Sequence, residues 1–281
     1  MIDNKSSKTT IVPGGQSIIR MVSELVRYRD LVSIFVYRDL VSKYKQTLLG
    51  PVWIVLEPAL MTAIYTIVFG EIMKVPTNGV PHILFYLCGV TFWSLFANNL
   101  LATSALFYSN EHIFSKVYFP RLLVVVSHTI SNLIIFAIQL TIFVTTWWFI
   151  KATDSTFLLN FGVIATLFLA TSLLCILSIG LGLILAASTI KYRDLRHLTP
   201  PIIQILLYSS AVLYPISIAS SVNQYLTWNP LVHVFELIRA SVFGISTEIM
   251  NLLFLSSVSI LILFFGIFLF RKTERNFIDS I

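Results

Sequence analysis

The sequence predicts an all-α integral membrane protein with six transmembrane helices, an N-terminal amphipathic interfacial helix, and re-entrant helices between the fifth and sixth spans. Hydrophobic residues make up 57% of the 281 residues and charged residues 11%, and the mean hydropathy is +0.86. Such a chain is too apolar to be a soluble domain and too poorly charged to be disordered. Its apolar residues form separate runs, and its Lys and Arg residues concentrate on one side of those runs.

The first 50 residues are predicted to be a cytoplasmic arm that ends in the interfacial helix. Residues 17–46 alternate apolar pairs with charges at roughly helical spacing, as in helices that lie at the headgroup level. The hexapeptide YRDLVS starts at Tyr28 and again at Tyr37, and one straight helix would turn the two copies in opposite directions. We therefore expect a break near residues 28–30. A soluble amphipathic helix packed on a partner is the alternative.

A six-span domain is predicted over residues 51–271, followed by a cytoplasmic tail at 272–281. About 20 apolar residues cross roughly 30 Å of hydrocarbon. The apolar runs cover residues 51–73, 83–107, 122–150, 161–189, 200–214 and 250–270. In the fourth run, small residues recur at four-residue spacing (Ser178, Gly182 and Ala186, with Gly180 beside them), which predicts close helix packing.

The fifth run is short, because residues 200–214 rise only about 22 Å before Pro215 stops the helix. Residues 216–246 are too polar to span and too apolar to form a free loop. We expect a pair of short re-entrant helices in the outer leaflet. Non-helical backbone at that depth must be covered by protein or line a wet cavity.

The distribution of positive charge predicts the orientation. With the N-terminus inside, 16 of the 19 Lys and Arg residues fall in inner segments, and the outer segments hold Lys74, Lys151 and Arg239. Both termini are therefore expected in the cytoplasm. No apolar core with a small-residue cleavage site follows the basic residues near the N-terminus, so no cleavable signal peptide is expected.

Catalytic signals are absent from the sequence. It has no G-x-x-x-x-G-K-[ST] loop, no zinc-ligand spacing among its five His residues and no paired carboxylates within a span, so no metal or cofactor is expected in this chain. Cys88 and Cys175 lie in apolar runs and indicate no disulfide. Glu57 is the one candidate for an intramembrane acid, and it lies near the cytoplasmic end of its run, whereas ion-coupled transport favours several acids at mid-depth. The basic residues lie between apolar runs and form no nucleic-acid-binding face.

Four blocks of sequence carry a resemblance to a known family. They are RDL with KYKQTLLGPVW and a Pro-containing first span, SNEHIFSKVYFPR at 109–121, KYRDLRHLTPPIIQILLYSSAVLYPIS at 191–217, and NPLVHVFELIRA at 229–240. In this order they closely resemble the permease subunit of bacterial ABC transporters that export polysaccharides, such as the O-antigen, capsule and teichoic-acid exporters. The resemblance covers roughly residues 28–271.

The resemblance implies a homodimer that works with two copies of a separate ATP-binding subunit, which would hold ATP and Mg and hydrolyse the ATP. It implies a glycan on undecaprenyl diphosphate as the substrate, moved across the bacterial inner membrane. An ion-coupled lipid or sugar flippase is one alternative. A membrane-embedded glycosyltransferase is another, but it should show an acidic cluster at a membrane face, which is not found.

The two short inner loops, 109–121 and 190–198, are mixed in charge. Ser109 or Asn110 can cap a helix that Pro120 ends, and an acidic residue in its first turn suits the helix dipole. These loops resemble coupling helices that bind the ATP-binding subunit, and ordinary positive-inside connectors are the alternative. The residues predicted to make that contact are Glu111, His112, Lys116, Arg193 and Asp194.

Other residues are candidates for handling the substrate. A cytoplasmic gate that also attracts the lipid diphosphate is predicted at Arg38, Lys43, Lys45 and Glu57. Aromatic rings one helical turn apart are predicted to line the path, and lipid-facing or packing rings are the alternative; these rings are Tyr65, Phe69, Phe92 and Phe96. The outer gate is predicted at Tyr214 and Pro215.

Overall fold

The computed structural model describes residues 26–114, 116, 119–151, 161–216, 223–244 and 249–278, and these residues form helices and connections without strands. The predicted arm before residue 26 and the last three residues of the tail lie outside the described ranges. In chain order the helices are α1 (Arg29–Tyr44), α2 (Trp53–Tyr65), α3 (His82–Ser104), α4 (Leu106–Ser109), α5 (Glu111–Phe114), α6 (Leu122–Lys151), α7 (Phe161–Lys191), α8 (Leu195–Ser209), α9 (Asn223–Leu226), α10 (Pro230–Phe243) and α11 (Ile249–Ile278).

Five of the described helical segments are long and apolar enough to cross a membrane, which confirms five of the six predicted runs. The first combines a 3₁₀ turn, helix α2 and a π-helical segment, Thr66–Ile72. The fifth predicted run, residues 200–214, is not among these segments, so a sixth span remains a prediction. The five segments are Gly50–Ile72, His82–Ser104, Leu122–Ile150, Gly162–Lys191 and Leu253–Thr273.

Helix α1 begins where the repeat analysis places a break. Tyr28 has φ −99° and ψ 24°, and the regular helix starts at Arg29. The N–H groups of Leu31 and Val32 donate to the carbonyl of Tyr28. Helix α1 packs against α6 through a face that includes the buried Phe35. The break near Tyr28 is therefore confirmed.

The centre of the fold is α3, most of whose side chains are buried, and it packs against α6 and α7. Helix α11 packs along α7 with very close backbone approach. A Cβ atom on Gly266 would lie 2.5 Å from the carbonyl oxygen of Gly180, and one on Gly182 would lie 2.5 Å from Cβ of Thr103. The close packing predicted from the small residues of the fourth run is thus confirmed.

The predicted bounds of the fifth run are wrong. Helix α8 begins at Leu195, after a turn at residues 192–194, and ends at Ser209, five residues before Tyr214. It ends there because the chain turns through Ala211, which has φ +52°. The prolines at 200 and 201 lie inside the helix, as membrane helices tolerate.

Two helices follow, as expected for the segment between the fifth and sixth spans, although residues 217–222 and 245–248 lie outside the described ranges. Asn229 caps α10 by accepting a hydrogen bond from the N–H of Leu231 at 3.0 Å, and Pro230 occupies the first turn. Gly244 ends the helix with φ +73°. The insertion of α9 and α10 into the outer leaflet remains a prediction.

Candidate functional site

Two short connections form one surface at the end of the bundle where α3 meets α6 and α7 meets α8. The first contains α4 and α5, and the second is the turn at residues 192–194. The guanidinium of Arg196, in the first turn of α8, lies 4.7 Å from the ring centroid of Tyr108 in α4. This contact joins the two loops, although Tyr108 and Arg196 are 88 residues apart in the sequence. We call this surface the loop face.

The residues predicted to couple to an ATP-binding subunit lie on this face. Each has an exposed side chain, so the surface presents both signs of charge. They are Glu111, His112, Lys116, Arg193 and Asp194. Residues 115, 117 and 118 of the first loop lie outside the described ranges.

The side chain of Asn110, one of the two predicted helix caps, bonds to the preceding turn and to Arg38. Its Nδ2 donates to the carbonyl of Leu106 at 3.1 Å and to the hydroxyl of Ser109 at 3.0 Å, while its Oδ1 accepts from Arg38 at 3.4 Å. The ring centroids of Phe35 in α1 and Phe119 also lie 5.5 Å apart. Asn110 therefore ties the loop face to helix α1.

Arg38 is half-buried and contacts several groups. Its guanidinium donates to Asp39 at 2.9 Å and lies 4.6 Å from the ring centroid of Phe35. Oδ2 of Asp39 lies 2.6 Å from Nδ1 of His128 in α6. Burial raises the pKa of Asp39, but hydrogen bonds and charges from His128 and Arg38 outweigh it and hold that pKa below its ordinary value. These contacts fix α1 against α6.

The other predicted gate residues lie on the surface where α1 approaches α2. Lys43, Lys45 and Glu57 are exposed. Desolvation by neighbouring groups lowers the pKa of Lys43, and the Glu57 carboxylate acts in the opposite direction. Glu57 also raises the pKa of Tyr44 together with burial. The fold thus brings Glu57 within electrostatic range of Lys43 and Tyr44 at the end of α1, and the gate itself remains a prediction.

Two of the predicted path residues belong to an aromatic cluster on the first span. The ring centroids of Tyr65 and Phe69 are 6.0 Å apart, and they lie 6.4 Å and 6.3 Å from that of Tyr86 in α3. Tyr65 and Phe69 are half-buried, whereas Tyr86 is fully buried. The first two rings therefore have surface left for contact with another molecule.

Phe92 and Phe96 are placed differently from the sequence prediction. Both are 0% exposed, with Phe92 5.1 Å from Phe136 and Phe96 5.3 Å from Trp93, measured between ring centroids. They pack the core of the single chain, and in this conformation neither contacts an open path. The helical spacing of these residues does not distinguish a packed face from a lining face.

The predicted outer-gate residues lie in the non-helical segment after α8, where side chains satisfy the backbone. The Tyr214 hydroxyl donates to the carbonyl of Tyr208 at 2.8 Å, and Asn229 Nδ2 donates to that of Ser209 at 3.0 Å. Arg239 of α10 donates to the carbonyls of Val212 at 2.6 Å and Tyr214 at 3.2 Å. This protein cover is what non-helical backbone inside a bilayer requires.

Arg239 is the main residue of this site whose role the sequence analysis missed. The sequence predicts it only as an outer-segment cation, whereas in the structure it is 5% exposed and its guanidinium lies 4.1 Å from the ring centroid of Phe85. Pro215 next to the segment is also buried. An Arg inside a mostly apolar helix is the signal that could have identified it.

Comparison with known proteins places these features in a family. The family model described as ABC-2 type transporter matches residues 30–243. The O-antigen export system permease protein RfbA of Myxococcus xanthus is 25% identical over 268 residues, covering 94% of this chain and all of the relative. The polysialic acid transport protein KpsM of Escherichia coli is 28% identical over 246 residues, covering 86% of this chain and 93% of the relative.

A third relative is the capsule polysaccharide export inner-membrane protein CtrC of Neisseria meningitidis serogroup A, which is 21% identical over 233 residues. The alignment covers 79% of this chain and 83% of that protein. The resemblance identified from the four sequence blocks is confirmed. The chain is a multi-pass membrane protein and a transporter component, and it belongs to the ABC-2 type transporter family.

Proposed function

We propose that this chain is the membrane-spanning subunit of an ATP-driven exporter that moves a polysaccharide across the bacterial inner membrane. The observation that carries the proposal is the match, over most of the chain, to relatives whose names specify export of O-antigen, polysialic acid or capsule polysaccharide. The five described apolar spans support it, since they fit a transport subunit. The chain supplies the path, and it is not itself the ATPase.

A separate ATP-binding subunit supplies the energy, with ATP and Mg bound there. The loop face is the docking surface for that subunit, and the contact between Arg196 and Tyr108 supports this because it joins both loops into one unit. Two copies of each subunit form the transporter, with this chain as a homodimer. ATP binding then switches the assembly between two arrangements by differential contacts in each.

The substrate is a glycan carried on undecaprenyl diphosphate, taken from the inner leaflet. Lys43 and Lys45 are exposed at the end of the interfacial helix, and each basic residue near an anionic surface contributes about 1 kcal/mol of attraction. Arg38 is bonded to Asp39 in this conformation and contributes less. Glu57 next to Lys43 completes the proposed cytoplasmic gate, and Tyr214 with Pro215 forms the outer one.

Half-buried Tyr65 and Phe69 offer the glycan an aromatic contact, because the flat C–H faces of sugars pack well on rings. The proposal is tested in a host that lacks the chromosomal copy and carries a plasmid copy. Loss of the chain leaves polymer inside the cell. Exchange of both rings for Leu keeps nearly the same volume and apolarity, so we expect folding to persist. Surface polysaccharide, measured by blotting, should fall at least fivefold.

Phe168→Leu is the matched control, because its ring is exposed on α7 and away from the cluster, and it should export at the parent level. Export by Tyr65→Leu/Phe69→Leu at the parent level would contradict the aromatic path. Unchanged surface polysaccharide without the chain would contradict the proposed function itself.

A further inference from the structure

The first span is held to the rest of the chain by a narrow stripe. In α2 the buried residues are Ile54, Pro58 and Thr62, spaced four apart on one face. Large apolar side chains on its other faces are exposed, among them Met61. Contacts made through this stripe therefore decide where the span lies.

Pro58 lies in the middle of the stripe and creates a specific need there. A proline has no N–H, so the carbonyl of Ile54, four residues earlier, loses its helical donor. Inside a bilayer no water is present to replace that donor, and an unsatisfied carbonyl is costly. Either the helix distorts there or a neighbouring side chain supplies the hydrogen bond.

Gln139 of α6 supplies it. Its Nε2 donates to the carbonyl oxygen of Ile54 at 3.2 Å, and the Gln139 side chain is 6% exposed. The hydroxyl of Ser94, from α3, donates to Oε1 of Gln139 at 2.6 Å, which fixes the orientation of the amide. One polar group thus joins three helices at the position of the proline.

We propose that Gln139 is a positioning residue that holds the first span at Pro58 and so sets the place of Tyr65 and Phe69. The role of Gln139 in transport rests on the proposed function. Its role in positioning the first span rests on the observed contacts alone. The π-helical segment Thr66–Ile72 forms the remainder of the same span, and its one buried residue is Gly70. The Gln139 bond therefore lies in the more tightly held half of the span.

Two substitutions remove the bond in different ways. Gln139→Met keeps the length of the side chain but removes its donors, so the carbonyl of Ile54 is left unsatisfied. Pro58→Ala restores an N–H at position 58, which satisfies that carbonyl within the helix. The hydrogen bond between the helices is lost in Gln139→Met and in the double variant. It is weakened in Pro58→Ala, because the restored N–H of residue 58 competes with Gln139 for the Ile54 carbonyl. Stability is expected to fall in Gln139→Met alone.

The position of α2 relative to α6 is measured on the purified full chain by electron–electron double resonance. Nitroxides go on cysteines that replace Met61 of α2 and Ile134 of α6, both exposed, in a background without Cys88 and Cys175. The parent should give one narrow distance distribution. Its width should at least double in Gln139→Met, Pro58→Ala and the double variant, and export should fall at least threefold in all three.

The double variant separates positioning from simple stabilisation. We expect its melting temperature to return to the parent value while its distance distribution stays broad; recovery of both would overturn the proposal. Narrow distributions in the single variants would also overturn it.

Gln204→Met is the control, since Gln204 is exposed on α8 and bonds to Tyr208 of the same helix. The distance and melting measurements need no substrate, so they stand if the proposed function fails.

Discussion

Arg239→Leu is expected to leave almost no folded, exporting protein. The substitution removes both donors to the carbonyls of Val212 and Tyr214 at a 5% exposed position. Each carbonyl left unsatisfied costs about 1–3 kcal/mol, and the lost contact with the ring of Phe85 adds about 0.5–2 kcal/mol. Relief from burying a guanidinium offsets part of this. A typical net stability is about 5–15 kcal/mol, so the loss is a large share.

The yield of monodisperse protein in detergent and its melting temperature measure this effect, with export as the second measurement. Arg239→Lys should be intermediate, because a single ammonium cannot span two carbonyls as the planar guanidinium does. Tyr225→Leu should match the parent, since Tyr225 is 78% exposed in the same segment. An Arg239→Leu variant that is as stable as the parent would show that Arg239 does not hold the segment after α8.

Charge reversal on the loop face is expected to abolish export without harming the fold. In the double variant Glu111→Lys/Asp194→Lys, both side chains are exposed, so the free energy of unfolding should change by less than about 0.5 kcal/mol. A docking surface, in contrast, loses several kcal/mol when like charges are placed together. We expect normal membrane insertion, loss of co-purification with the ATP-binding subunit, and export below a tenth of the parent level.

Lys74→Glu is the control, because Lys74 follows the first span and so lies at the other end of the bundle from the loop between α3 and α6. It reverses an exposed charge and should leave co-purification and export unchanged. If the double variant still binds an active partner and exports normally, the coupling role of Glu111 and Asp194 is wrong.

Five spans are predictable from sequence because hydrocarbon thickness sets their length and apolar composition marks them. The bounds of α8 are not predictable in the same way. Its end at Ser209 depends on donors from distant residues: Asn229 lies 20 residues beyond Ser209, and Arg239 lies 25 and 27 residues beyond the two carbonyls that it binds. A hydropathy pattern contains no information about such distant partners.

The candidate site likewise contains residues that are predictable from sequence and residues whose role depends on tertiary packing. Exposed charges on short loops, such as Glu111 and Asp194, are predictable because charge cannot enter the bilayer cheaply. The rings of Phe92 and Phe69 are equally apolar, and tertiary packing alone decides that the first is buried and the second half-buried. The role of Gln139 follows from Pro58 only when the two helices are seen side by side.

The most direct test of the proposed function is transport by purified protein in sealed vesicles. The chain is reconstituted with and without the proposed ATP-binding subunit, and the proposed substrate, a lipid-linked polysaccharide, is offered on the side of the vesicle that carries that subunit. We predict movement of the polymer, and ATP hydrolysis, with both subunits, ATP and Mg present, and neither with the chain alone. Transport by the chain alone, driven by a proton or sodium gradient without ATP, would contradict the account and favour an ion-coupled flippase.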